Sequence, residues 1–142
     1  QTFTNMLIII FIVVVIISYI LYKIFNNRKS ILQKQVEGYG GMLNKYEFLI
    51  HHLTSYPNAI IQKVQKDKIQ IYIDLSIISS TMNFYIKEGF QCVNIQWIGI
   101  SKKLGKHKKS WKFPDTYSQE KMVQRINEDL NNQMDKILGN KY

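Results

Sequence analysis

Residues 6–22 form an unbroken apolar run without charge, proline or glycine, extended by Phe3 on one side and Phe25 on the other. Met6, Leu7, Ile8, Phe11, Val14, Ile17 and Leu21 mark it, and Ser18 and Tyr19 are the polar side chains in its inner part. At about 1.5 Å per residue such a run matches a hydrocarbon core roughly 30 Å thick. A strand of a water-soluble domain rarely exceeds about 10 residues, so length favours a helix despite the many β-branched side chains. A single helix also satisfies its own backbone in lipid, which an isolated strand cannot do. The expected element is a transmembrane anchor over residues 1–26.

Every charged side chain lies after Tyr22, so the net charge of +9, from 19 Lys+Arg against 10 Asp+Glu, belongs to the rest of the chain. Lys23, Arg28, Lys29 and Lys34 follow the apolar run, and residues 1–5 carry no charge. By the positive-inside rule this places the N-terminus outside and the C-terminal domain in the cytoplasm or a mitochondrial matrix. A cleaved signal would have a basic leader and small residues after the apolar core. Here Tyr22, Lys23, Ile24 and Phe25 follow, so the anchor is expected to be retained.

Beyond the anchor, Leu32, Val36, Tyr39, Leu43, Tyr46, Ile50 and Leu53 recur at alternating steps of four and three. That spacing predicts a juxtamembrane amphipathic helix over residues 27–56, ended at Pro57. Its stripe would meet either a partner helix, giving an oligomer, or the protein's own sheet. Gly38, Gly40 and Gly41 each cost about 1 kcal/mol inside a helix, which disfavours a free-standing stalk.

After Pro57 the period changes to two. Residues 59–65, 69–75, 82–87 and 90–101 read as strands, and 111–113 as a short last strand stopped by Pro114. Hairpin-length connections predict an antiparallel meander. Thr116 and Gln119 have capping-box spacing, and Met122, Val123, Ile126, Leu130, Met134, Ile137 and Leu138 form one stripe of a C-terminal helix. The expected fold is therefore α+β: the anchor continuing into an amphipathic helix, then a four- to five-stranded meander covered by a helix. Residues 57–142 make the small head domain.

No spacing here proposes catalysis. His51 and His52 are adjacent and point about 100° apart on a helix, which is unsuited to chelation. His107 lies among lysines and is expected on a basic surface. Asp67, Asp74, Glu88 and Asp115 are scattered over turns and an outward strand position. Cys92 cannot form an intrachain disulfide and is expected to be a buried, inert thiol. No catalytic residue, metal ligand or cofactor is assigned, and the chain is read as non-enzymatic.

The densest charge is the expected basic loop at 102–112, with Lys102, Lys103, Lys106, Lys108, Lys109 and Lys112 around Trp111. One reading is a solvated hairpin tip with Trp111 in the core. Another is a contact for anionic lipid headgroups or an acidic partner, with each lysine near a membrane adding about 1 kcal/mol. A third is nucleic acid stacked on Trp111. The tether brings the loop near headgroups, which ranks lipid or an acidic partner just behind the solvated tip and well ahead of nucleic acid.

Phe3-Thr4 before an apolar helix, followed by an amphipathic helix and a meander, resembles the type IV pilin plan through about residue 113. It departs from that plan where Asn5 and Leu7 stand near the position of the early glutamate, and where Lys23, Arg28 and Lys29 crowd the helix. That resemblance implies a filament subunit. The anchor carries no charged group deep inside it, and the head lacks a catalytic signature. Together they point to a structural or accessory subunit of a larger membrane complex, with other membrane-protein subunits as partners.

Overall fold

The computed structural model describes residues 2–139. Helix α1 (Thr2–Glu37) contains the whole apolar run and continues past it without a break. Its residues 2–31 are all exposed, so that stretch projects from the head without packing on it. It is long and apolar enough to cross a membrane.

The continuous amphipathic helix expected over 27–56 is not formed. Helix α1 stops at Glu37, and the chain re-enters helix as α2 (Met42–Lys45) and α3 (Glu47–Leu53). The cause is local. The amide of Gly41 donates to the carbonyl of Val36 and that of Gly40 to Glu37, which closes a Schellman end. Gly40 stands there at φ 84°, a left-handed conformation that glycine adopts without Cβ strain. The glycines thus end the helix.

This turn divides the apolar stripe. Val36, Tyr46, Ile50 and Leu53 are buried in the protein's own core and Leu32 is half-buried, whereas Tyr39 is 65% exposed and Leu43 43%. Most of the stripe is therefore already covered within one chain.

The sheet is a five-stranded antiparallel meander in the order β1-β2-β3-β4-β5. Its strands are β1 (Ala59–Val64), β2 (Lys68–Leu75), β3 (Ser80–Gly89), β4 (Cys92–Ser101) and β5 (Gly105–Pro114), with a 3₁₀ turn at Ser76–Ile78 between β2 and β3. Period-two alternation sorts the side chains. Ile69, Ile71, Ile73, Phe84, Ile86, Val93, Ile95, Trp97, Trp111 and Phe113 face the helices and are buried. Among the described residues, no helix or strand is laid over the opposite face.

The last strand is much longer than expected. Register runs from Cys92↔Pro114 to Ser101↔Gly105, so the connection shrinks to residues 102–104 and most of the expected basic loop is strand. Backbone pairing does not depend on side-chain polarity, and lysines on an edge strand oppose edge-to-edge association.

Helix α4 (Gln119–Gly139) covers the sheet beside α3, burying Met122, Val123, Ile126 and Leu130. Met134 is exposed and Ile137 half-buried, while the side chain of Leu138 lies outside the described part. The expected capping box of Thr116 and Gln119 is not used. Instead, the amide of Lys121 donates to Ser118 Oγ. Gln119 turns across to α3: its Nε2 donates to the carbonyl of Lys45 at 2.6 Å, and its Oε1 accepts from the amide of Leu49 at 3.0 Å. A side chain expected to cap its own helix thus holds the start of another.

Candidate functional site

The junction between α1 and the head is built around Glu88, 1% exposed on the covered face of β3. Its Oε2 lies 2.9 Å from Lys45 Nζ and accepts from the Tyr46 hydroxyl at 2.9 Å. Its Oε1 accepts from Gln35 Nε2 at 2.9 Å, and the same amide group also donates to the carbonyl of Gly89. Gln35 belongs to the last turns of α1, so this network joins the apolar helix directly to the sheet. Lys45 sits over the rings of Tyr39 and Tyr46 and has Asp115 at 3.9 Å. Burial, together with the neighbouring Glu88 carboxylate, pushes the Tyr46 phenol well above its ordinary range. Glu88, expected at a turn, thus faces inward with a saturated set of partners, an arrangement suited to holding two elements in fixed relation.

The open face carries a different chemistry. Cross-strand register places Lys68, Lys87, Asn94 and Lys112 in one row and Lys63, Gln70, Tyr85, Gln96 and Ser110 in the next. These residues line a concavity of about 640 Å³. Gln70 Nε2 donates to Asn83 Oδ1 at 3.1 Å and to the Tyr85 hydroxyl at 3.4 Å, which fixes the floor. Lys68 and Lys87 are direct cross-strand partners, an arrangement unfavourable for like charges. Among the described residues, none of Lys63, Lys68, Lys87 and Lys112 has a carboxylate within ion-pair distance. Asp74 is the one carboxylate that register places on this face, and its Oδ1 accepts the amide of Ser76 at the far end.

The residues of the expected basic loop are dispersed by the strand. Lys102 and Lys103 form the tip, at the end of the sheet opposite Gly89. Lys106, Lys108 and Lys112 point to the open face, while Lys109 lies half-buried on the covered side. Trp111 is buried, and its indole N–H donates to Asp129 Oδ2 at 2.8 Å, so it offers no ring for stacking on a base. That bond, aided by Arg125 and outweighing desolvation, holds the Asp129 carboxyl below the usual range. His107 is half-buried, with Nε2 2.7 Å from the carbonyl of Leu104, instead of lying on a basic surface.

A third feature lies along β1, one of the two edge strands of the sheet. Ile61 and Val64 are exposed there, and Val64 joins Val36, Leu43 and Lys66 around a groove of about 480 Å³. The marked residues of the apolar run, Met6, Leu7, Ile8, Phe11, Val14, Ile17 and Leu21, are all exposed. Cys92, expected to be buried, is half-buried at the end of β4. Among the described residues, no three His, Cys, Asp or Glu side chains converge as metal ligands. His51 is exposed, and His52 Nε2 lies 3.4 Å from Asn127 Oδ1 of α4.

Sequence reasoning singled out Lys112 but not Lys63, Lys68 or Lys87. The signal was present: Lys68 and Lys87 occupy outward positions near the ends of strands expected to be hairpin partners. Placing one opposite the other required the register.

No family model matches the chain, and no similar protein was found among curated proteins or solved structures.

Proposed function

We propose that this chain is a non-catalytic, single-pass membrane-anchored structural or accessory subunit of a larger membrane protein complex, with its basic head on the cytoplasmic or matrix side. The observation that carries the reading is α1: apolar around its whole circumference over residues 6–17, covered there by none of the described residues, and locked to the head through Val36 and Gln35. So large an apolar surface is stable only in lipid or among other apolar helices. The fixed junction suits a scaffold that holds a head at set height and orientation above a bilayer. The free edge of β1, with Ile61 and Val64 exposed, is where a neighbouring subunit would add to the sheet.

The test is native mass after mild detergent extraction from the source membranes, with co-migrating chains identified by mass spectrometry. A complex of defined composition that dissociates when Val64→Glu is introduced is the expected result. Recovery as a lone monomer, or in the aqueous fraction without detergent, would overturn the reading.

A further inference from the structure

We infer that the open face of the sheet binds the headgroups of anionic phospholipids in the membrane that holds α1; the inference rests on the anchoring reading above. Three observations lead there. First, the row Lys68, Lys87, Asn94 and Lys112 sets like charges side by side with no carboxylate in ion-pair distance among the described residues. Folding gains nothing from that repulsion, and a bound anion removes it.

Second, the concavity those lysines rim is of ligand-pocket size, about 640 Å³. Apolar surface makes up most of its lining, and the amides and hydroxyls of Gln70, Tyr85, Asn94, Gln96 and Ser110 are set into it. Phosphate would be held by the ammonium groups, and the polar remainder of a headgroup by the amides and Tyr85.

Third, this row lies at the end of the sheet joined to the anchor. Lys87 is two residues from Gly89, whose carbonyl accepts from Gln35. Gln35 follows Phe25, the last residue of the apolar segment, by ten positions of unbroken helix, about 15 Å. The headgroup layer takes up roughly 5–8 Å of that distance. What remains is about one Debye length at physiological salt. Arg28, Lys29 and Lys34 occupy the interval, and Phe90, exposed at the β3–β4 turn, stands at the same end. The tip lysines Lys102 and Lys103 lie at the other end of strands about 30 Å long. The lipid contact expected of the basic loop thereby moves to Lys68, Lys87 and Lys112.

The experiment uses the full chain in nanodiscs, either of phosphatidylcholine alone or enriched in phosphatidylglycerol. Each lysine is followed by its rate of acylation with a water-soluble amine reagent, read by peptide mass spectrometry. In phosphatidylglycerol the rates at Lys68, Lys87 and Lys112 should fall about fivefold, with Lys102 and Lys106 changed less than about twofold. About 1 M salt should abolish the difference. Equal rates in the two lipids, or protection centred on Lys102 and Lys106, would overturn the inference. So would equal protection in phosphatidylcholine discs by glycerol phosphate or a single-stranded oligonucleotide, which would assign the face to a soluble anion or to nucleic acid. Failure of the anchor itself shows separately, as a chain that does not enter phosphatidylcholine discs.

Discussion

The carboxylate of Glu88 on β3 and the ammonium of Lys45 on α2 stand 2.9 Å apart, both almost wholly removed from water. Such a pair is costly to desolvate, and removing one partner leaves the other charge buried alone. Here the carboxylate also accepts from Gln35 and Tyr46, so α1, α2 and β3 share one buried charge.

Glu88→Gln should therefore destabilise the head by about 3 kcal/mol. The measurement is denaturant unfolding of the full chain in detergent micelles. Adding Lys45→Met to Glu88→Gln should cost less than the sum of the two single changes, with a coupling of about 1–3 kcal/mol. Strict additivity would show that the pair does not act as a unit.

The same network sets a response to alkali. The pKa of the Tyr46 phenol is raised in the folded protein above the ordinary phenol value of 10.0, so the folded state keeps a proton that the unfolded chain releases. A raised folded value means that this contribution is fully present below the unfolded value and declines as pH rises above it. Stability should thus fall as pH climbs past about 10, and Tyr46→Phe should make that decline shallower. Near neutral pH the same change should cost about 1 kcal/mol through the lost bond to Glu88. Parallel stability–pH curves for the two proteins would refute the assignment.

On β4 the ring of Trp97 lies over Gly99, where an added Cβ would meet ring carbons at 2.5 and 2.8 Å. Gly99→Ala should therefore displace the indole and lower stability by about 1–3 kcal/mol. Tryptophan fluorescence should shift as well, because Trp97 is buried with its Nε1 unpartnered among the described residues. An unchanged spectrum with unchanged stability would show that the core takes up the methyl group freely.

How much of this was legible in the sequence follows from the range over which each feature is encoded. The membrane-length helix depends on consecutive residues and on water, and residues 6–22 are sufficient to specify it. The alternation of Ile69, Ile71 and Ile73, and the stripe of Met122, Ile126 and Leu130, likewise record which face is buried. These determined the class of elements, the meander and its covering helix.

Only the tertiary structure decided the rest, because it turns on which strands pair and how far. Alternation continued from Phe84 and Ile86 would have pointed Glu88 inward. What made that tolerable, Lys45 and Tyr46 some 42 positions away, is brought there by packing. Ladder hydrogen bonds carried β5 through a lysine run that reads as loop, since the backbone pairs whatever side chains it bears. The cationic row of Lys68, Lys87 and Lys112 exists only once β2, β3, β4 and β5 are in register. Local sequence specified the long apolar helix and the class of elements in the head, and long-range pairing composed the charged face and the junction that ties it to α1.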